Sequence, residues 1–336
     1  MHITELINEA ISVTQHESAF DAAIRTSINS SVGYLYTLKG TYTDQEKEFD
    51  DPDTGSWRPL MTALSKNLYR ALKHRLPNAI RVSINTEMGD KVVDTVTFDD
   101  LGERTRGEAQ ADSITLNSRY LNSLTKHLLT AIFDSVSSSY NENERVDGLF
   151  FTFKMFDQKD RYTLNLFDNS MTKTIENIVS TITHEVVHVI QYNQQVSKGR
   201  DDIEYRSYLD KTKGEFRNII DNPPGANEPP RSPEEQERQW NLYLASPQEI
   251  AAFAHQAALE VIRDHGINQA TSPEELDPKQ LSAGSIIYAV DKVSAGRFSK
   301  PKTPKEQMVR NRYLKLAYQE IVRTLEHKLA SLKKQS

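Results

Sequence analysis

The sequence predicts an α+β protein with a sheet-bearing N-terminal lobe over residues 1–198 and a mainly helical C-terminal lobe over 199–336. Three observations lead there. Segments in which apolar and polar residues alternate fall in the first half of the chain and fade after Asp201. Long segments with apolar residues at helical spacing dominate the second half. Between the two lies one strongly amphipathic segment, Ile175 to Ile190, directly after the last predicted strand.

Ile3 to Ile28 and Leu60 to Arg75 carry helical periodicity. Ala79 to Thr86 and Lys91 to Phe98 alternate, and Gly89-Asp90 between them predicts a hairpin. Asp112 to Asn117 predicts a third strand, leading into a helix of about Tyr120 to Val136. Leu149 to Phe156 and Arg161 to Phe167 flank the polar turn Asp157 to Asp160 and predict a second hairpin. The Pro- and Gly-rich segment Asp221 to Pro233 reads as an exposed loop. Helices are then expected over about Pro233 to Ala245, Pro247 to Asp264 and Pro304 to Lys333.

Composition limits the chemistry. With no cysteine, thiol catalysis, iron–sulfur clusters and thiolate zinc sites are excluded, leaving histidine and carboxylate as strong metal ligands. A net charge of -6 without a long basic stripe argues against nucleic-acid binding, where phosphate neutralisation supplies most of the affinity. No apolar run approaches the roughly 20 residues a spanning helix needs, so no membrane segment is expected. The first residues lack the basic and apolar regions of a secretory signal, and the expected location is cytoplasmic or virion-associated.

The chemistry concentrates in the helix ending the first lobe. Ile175, Ile178, Val179, Ile182, Val186, Val189 and Ile190 share one stripe, the side expected to meet the core. His184 and His188 share the opposite side with Asn177, Ser180, Thr181, Gln191 and Gln195. A spacing of four brings the two imidazoles close enough to hold one ion, with Glu185 at the flank. Two histidines and one carboxylate leave a catalytic zinc an open position for water, whose pKa falls to around 7. A helix face merely wetted by solvent would display the same residue types.

His184-Glu185-Val186-Val187-His188 resembles the zinc-binding helix of the zincin metallopeptidases. The resemblance implies that both histidines bind Zn2+, one ion per chain, that Glu185 is the general base, and that the strands before the helix border a cleft for a peptide or protein substrate. The third histidine and glycine of metzincins do not follow His188, so the likeness is to the gluzincin branch, which takes a glutamate from a later helix. Glu204, Glu215, Glu235 and Glu249 are candidates, and Glu249 is favoured because small residues after it let two helices approach. Its stretch, Pro247-Gln-Glu-Ile-Ala-Ala252, is similar to a pattern in uncharacterised, often phage-encoded metallopeptidase-like proteins.

Ser246-Pro247-Gln248-Glu249 is also a capping box, as are Ser232 to Glu235 and Ser272 to Glu275, so helix-start chemistry alone is the alternative explanation of Glu249. Where gluzincins often place an orienting aspartate after the liganding glutamate, this chain has Ala252 and Phe253; Asn177, Asp201 and Asp202 are the substitutes considered. Tyr205, Tyr208, Tyr243 and His255 are candidate donors to a developing oxyanion. His255 stands about 120° from Glu249 around one helix and is not expected as a ligand. The expected function is a zinc-dependent hydrolase, a metallopeptidase. The alternative is a structural or assembly component, for example of a phage particle with virion partners, that retains a zincin fold with a weak or unused site.

Overall fold

A computed structural model describes residues 16–37, 58–88, 92–102, 105–137, 166–197, 232, 243–245, 247–276 and 282–335. They form a helix-rich α+β protein with one small sheet. In chain order the longer elements are α1 (Glu17–Thr37), α2 (Arg58–Glu87), β1 (Thr95–Asp99), β2 (Gly107–Gln110), β3 (Ser113–Asn117), α3 (Arg119–Ser137), α4 (Asn169–Ser197), α5 (Pro247–Asp264), α6 (Ala283–Val293) and α7 (Pro304–Gln335). The chain divides into two compact units, one of Met1–Ser18, Ala109–Ser113 and Ile182–Ser336, the other of Ala19–Glu108 and Ile114–Thr181.

In the second of these units α2 packs on α3 and β1. The hairpin expected over Ala79 to Phe98 does not form, because α2 runs on through Pro77 to Glu87. Leu64, Leu68, Leu72, Leu76, Ile80 and Ile84 recur every fourth residue and are all buried, whereas Val82 between the last two is 47% exposed. In a strand, Val82 would share a face with Ile80 and Ile84; in a helix it points away from them. The side chain of Asn85 then ties down the next stretch of chain, accepting from the amides of Val92 and Val93 at 2.9 Å and donating to the Val93 carbonyl at 2.7 Å. β1 begins shortly after, and covers the second half of the strand expected over Lys91 to Phe98.

The sheet has the order β1-β3-β2. β3 is the expected third strand; β2, which alternation did not reveal, pairs with it through a turn in which Ala111 adopts φ 52°, in the left-handed region. Buried Asn117 ends β3 by donating to the carbonyls of Gly102 and Thr105, and its side-chain oxygen accepts from the Arg119 amide at the start of α3. Asp168 opens α4 by accepting from the Met171 amide at 2.7 Å. The predicted hairpin over Leu149 to Phe167 lies outside the described residues except for Leu166 and Phe167, which are in no regular element.

In the first unit α5, α6 and α7 pack mutually. Ala254, Ala257 and Ala258 on α5 and Ala317 on α7 are buried, and small side chains at such positions allow close helix approach. Tyr313 of α7, fully buried, donates to the Leu244 carbonyl at 2.7 Å. Gly266, at φ 61°, ends α5, and Arg263 near that end pairs with Glu17. α6 was not foreseen from the sequence, while α5 and α7 were. The loop expected at 221–233 and most of the helix expected over Pro233 to Ala245 lie outside the described residues. No helix among the described residues is long and apolar enough to cross a membrane.

Candidate metal centre

Local sequence explains why α4 presents its histidines together, but its burial is a tertiary result. From Ile178 to Gln191 every side chain except that of His188 is buried, on the polar side of the helix as well as on the apolar stripe. The solvent-wetted face that the sequence left open is therefore not what this segment has.

Glu249, in the first turn of α5, turns its carboxylate to the two imidazoles. One oxygen lies 3.4 Å from His184 Nε2, the other 3.6 Å from His188 Nε2, and the two Nε2 atoms are 3.1 Å apart. Metal–ligand bonds of 2.0–2.1 Å at tetrahedral angles place ligand atoms about 3.3 Å apart; one ligand atom from each of the three residues lies within 4.8 Å of the others, near enough to share one ion. Among the described residues this is the group of histidine and acidic side chains that converges closely enough to hold a metal ion.

The same capping signature at Glu275 and at Glu249 has different surroundings. Glu275 spends its carboxylate on its own turn, accepting from the Thr271 amide at 2.7 Å and the Thr271 hydroxyl at 3.0 Å. Glu249, at the corresponding place, carries its carboxylate to the imidazoles of another helix. Ser246 lies outside the described residues, as do the other candidate ligands Glu204, Glu215 and Glu235.

Electrostatics bind the three groups into one unit. Burial opposes protonation of His188, but the adjacent charge and hydrogen bond of Glu249, with the charge of Glu185, prevail and raise its pKa to about 9 in the metal-free protein. Burial alone would push the Glu249 carboxyl up; the His188 and His184 rings instead hold it well below the usual carboxylate range. Glu185 is itself buried, and its charge acts on His188 and Tyr243.

The surroundings of the ligands include residues to which the sequence alone gave no role. His188 Nδ1 lies 3.2 Å from Gln191 Oε1, the acceptor that fixes the tautomer with Nε2 facing the centre. Gln191 stands three residues after His188, and that spacing was the available signal. The backbone carbonyl of Asn177, one of the residues named for the orienting role, accepts from the Thr181 hydroxyl at 2.9 Å; Asp201 and Asp202 lie outside the described residues. The Phe253 ring meets the His184 ring edge to face at 4.6 Å between centroids, and the Tyr243 ring meets Phe253 at 6.4 Å. Tyr243 hydrogen-bonds Glu249; burial first, then the Glu249 charge, holds its hydroxyl pKa well above the usual value, so it remains a donor at neutral pH.

Of the remaining expected residues, Tyr205 and Tyr208 lie outside the described residues. His255 is buried on α5 with Nδ1 3.7 Å from a Glu320 oxygen of α7. Although this is an ion-pair distance, burial drives both toward neutrality, lowering His255 to about 4 and raising Glu320 to about 8. No protein-family model, curated protein or solved structure matches the chain.

Proposed function

We propose that the protein is a zinc-dependent hydrolase of zincin type that cleaves peptide bonds, with His184, His188 and Glu249 as ligands and Glu185 as general base. The observation that supports this most directly is the convergence of two histidines of a His-Glu-x-x-His helix and a carboxylate of a second helix, close enough to share one ion. An ion held there supplies Lewis acidity and brings the pKa of water down to about 7. Glu185, next in sequence to one ligand and electrostatically coupled to another, takes the proton of the attacking water and delivers it to the departing amine. Gln191 holds His188 in the tautomer that ligation needs. Burial of His184 and Glu249 keeps bulk water from weakening these interactions.

The deciding experiment compares wild type with Glu185→Gln on a mixed-peptide substrate, with cleavage followed by mass spectrometry. The variant should bind zinc as wild type does and lose hydrolysis by about 100-fold or more. Equal cleavage by both, or none by zinc-loaded wild type, overturns the enzymatic reading.

A further inference from the structure

Each ligand of the centre has a different kind of neighbour, and none of the three neighbours is charged. Gln191 accepts from His188 Nδ1 one turn along α4. Phe253, one turn after Glu249 on α5, packs edge to face on His184, whose buried Nδ1 has no hydrogen-bond partner among the described residues. Tyr243 meets the Phe253 ring edge to face at 6.4 Å between centroids and lies within reach of the Glu249 carboxylate, whose charge and hydrogen bond act on its hydroxyl.

We infer that Gln191, Phe253 and Tyr243 are the positioning residues of the metal centre, one for each ligand, and that His184 is oriented by aromatic packing where a hydrogen-bond acceptor is the usual device. The inference rests on the metal-binding part of the proposed function. Its physical content is that these three positioning groups are uncharged, while a nearby charge acting on His188 comes from Glu185. An outer carboxylate makes a ligating imidazole more basic; here an amide, a ring and a neutral phenol do the orienting, so their contribution is to position the ligands and not to raise their basicity. Removing one of these partners frees its ligand to rotate away from the shared point. Loss of an outer-shell partner costs about 10- to 100-fold in metal affinity.

The test uses the full chain and two probes, Zn2+ titrated against a chromophoric chelator and the visible absorption of the Co2+-loaded protein. Gln191→Ala, Tyr243→Phe and Phe253→Leu should each weaken Zn2+ binding about tenfold or more and alter the Co2+ bands, while the metal-free variants melt close to wild type. Should Phe253→Leu fail to fold, the other two, which delete no core ring, decide the matter. Wild-type Zn2+ affinity together with an unchanged Co2+ spectrum in the variants overturns the inference. His188→Ala separates this from failure of the underlying reading: if wild type and His188→Ala take up both ions alike, the metal centre itself is refuted.

Discussion

The Nε2 atoms of His184 and His188 approach to 3.1 Å inside the protein, closer to each other than either is to Glu249. Two ring nitrogens brought lone pair to lone pair repel unless a proton or a cation lies between them. In the metal-free protein the proton on His188 serves, held there by Glu249 and Glu185. A divalent ion satisfies all three groups at once, so proton and metal compete for one place, with measurable consequences.

Protein purified without an affinity tag should carry close to one zinc per chain by elemental analysis, and His188→Ala should carry little. With free zinc at about a hundred times its dissociation constant, linkage adds about 2.7 kcal/mol of stability, visible as a rise in Tm that a chelator reverses. A Tm indifferent to zinc and chelator would contradict a site in the folded state.

The metal-free protein should lose stability as pH rises from about 6.5 to 9. His188 has a folded pKa raised from 6.5 to about 9, so its contribution is complete below the unfolded value and disappears as pH passes through the folded one. Zinc loading replaces the proton and should flatten this slope. Across the same range, zinc binding should release a proton, measurable by calorimetry in buffers of different ionisation enthalpy.

Glu320→Gln should be tolerated, and its benefit should grow with pH. A buried carboxyl raised to about 8 binds its proton more tightly folded than unfolded, so wild type loses stability between the unfolded carboxyl value and pH 8. The amide keeps the polar shape and removes that titration. The difference in Tm between variant and wild type should therefore move in the variant's favour from pH 6 to pH 8.

In α2, Ile84→Ala should destabilise by about 2–5 kcal/mol, the usual cost of truncating a buried isoleucine. Val82→Ala should change stability little or improve it, because alanine is the better helix former at an exposed position. A strand at this place would make the two substitutions alike, and denaturant unfolding distinguishes the cases.

What was legible in the sequence was what neighbouring residues settle among themselves. The start of α5 at Pro247 and its end before Gly266 follow from proline at a helix start and glycine beyond a helix end. The shared face of His184 and His188 follows from their spacing alone. Local rules failed where one local pattern suits two outcomes. Ile80, Val82 and Ile84 read equally as a strand, until the buried run from Leu64 to Ile84 puts Val82 outside. The capping signature at Glu249 and at Glu275 is the same, yet one glutamate serves its own turn and the other a second helix.

By itself, then, the sequence determined that this chain places two imidazoles and a glutamate on one helix, and that it has no thiols to offer a metal. The tertiary structure alone decided that the polar face of that helix is buried, that Glu249 is the acid that meets it, and that Gln191, Phe253 and Tyr243 surround the ligands. The reason is that helical spacing fixes which atoms point the same way. What they point at depends on burial between segments far apart in the chain, which no short window of sequence contains.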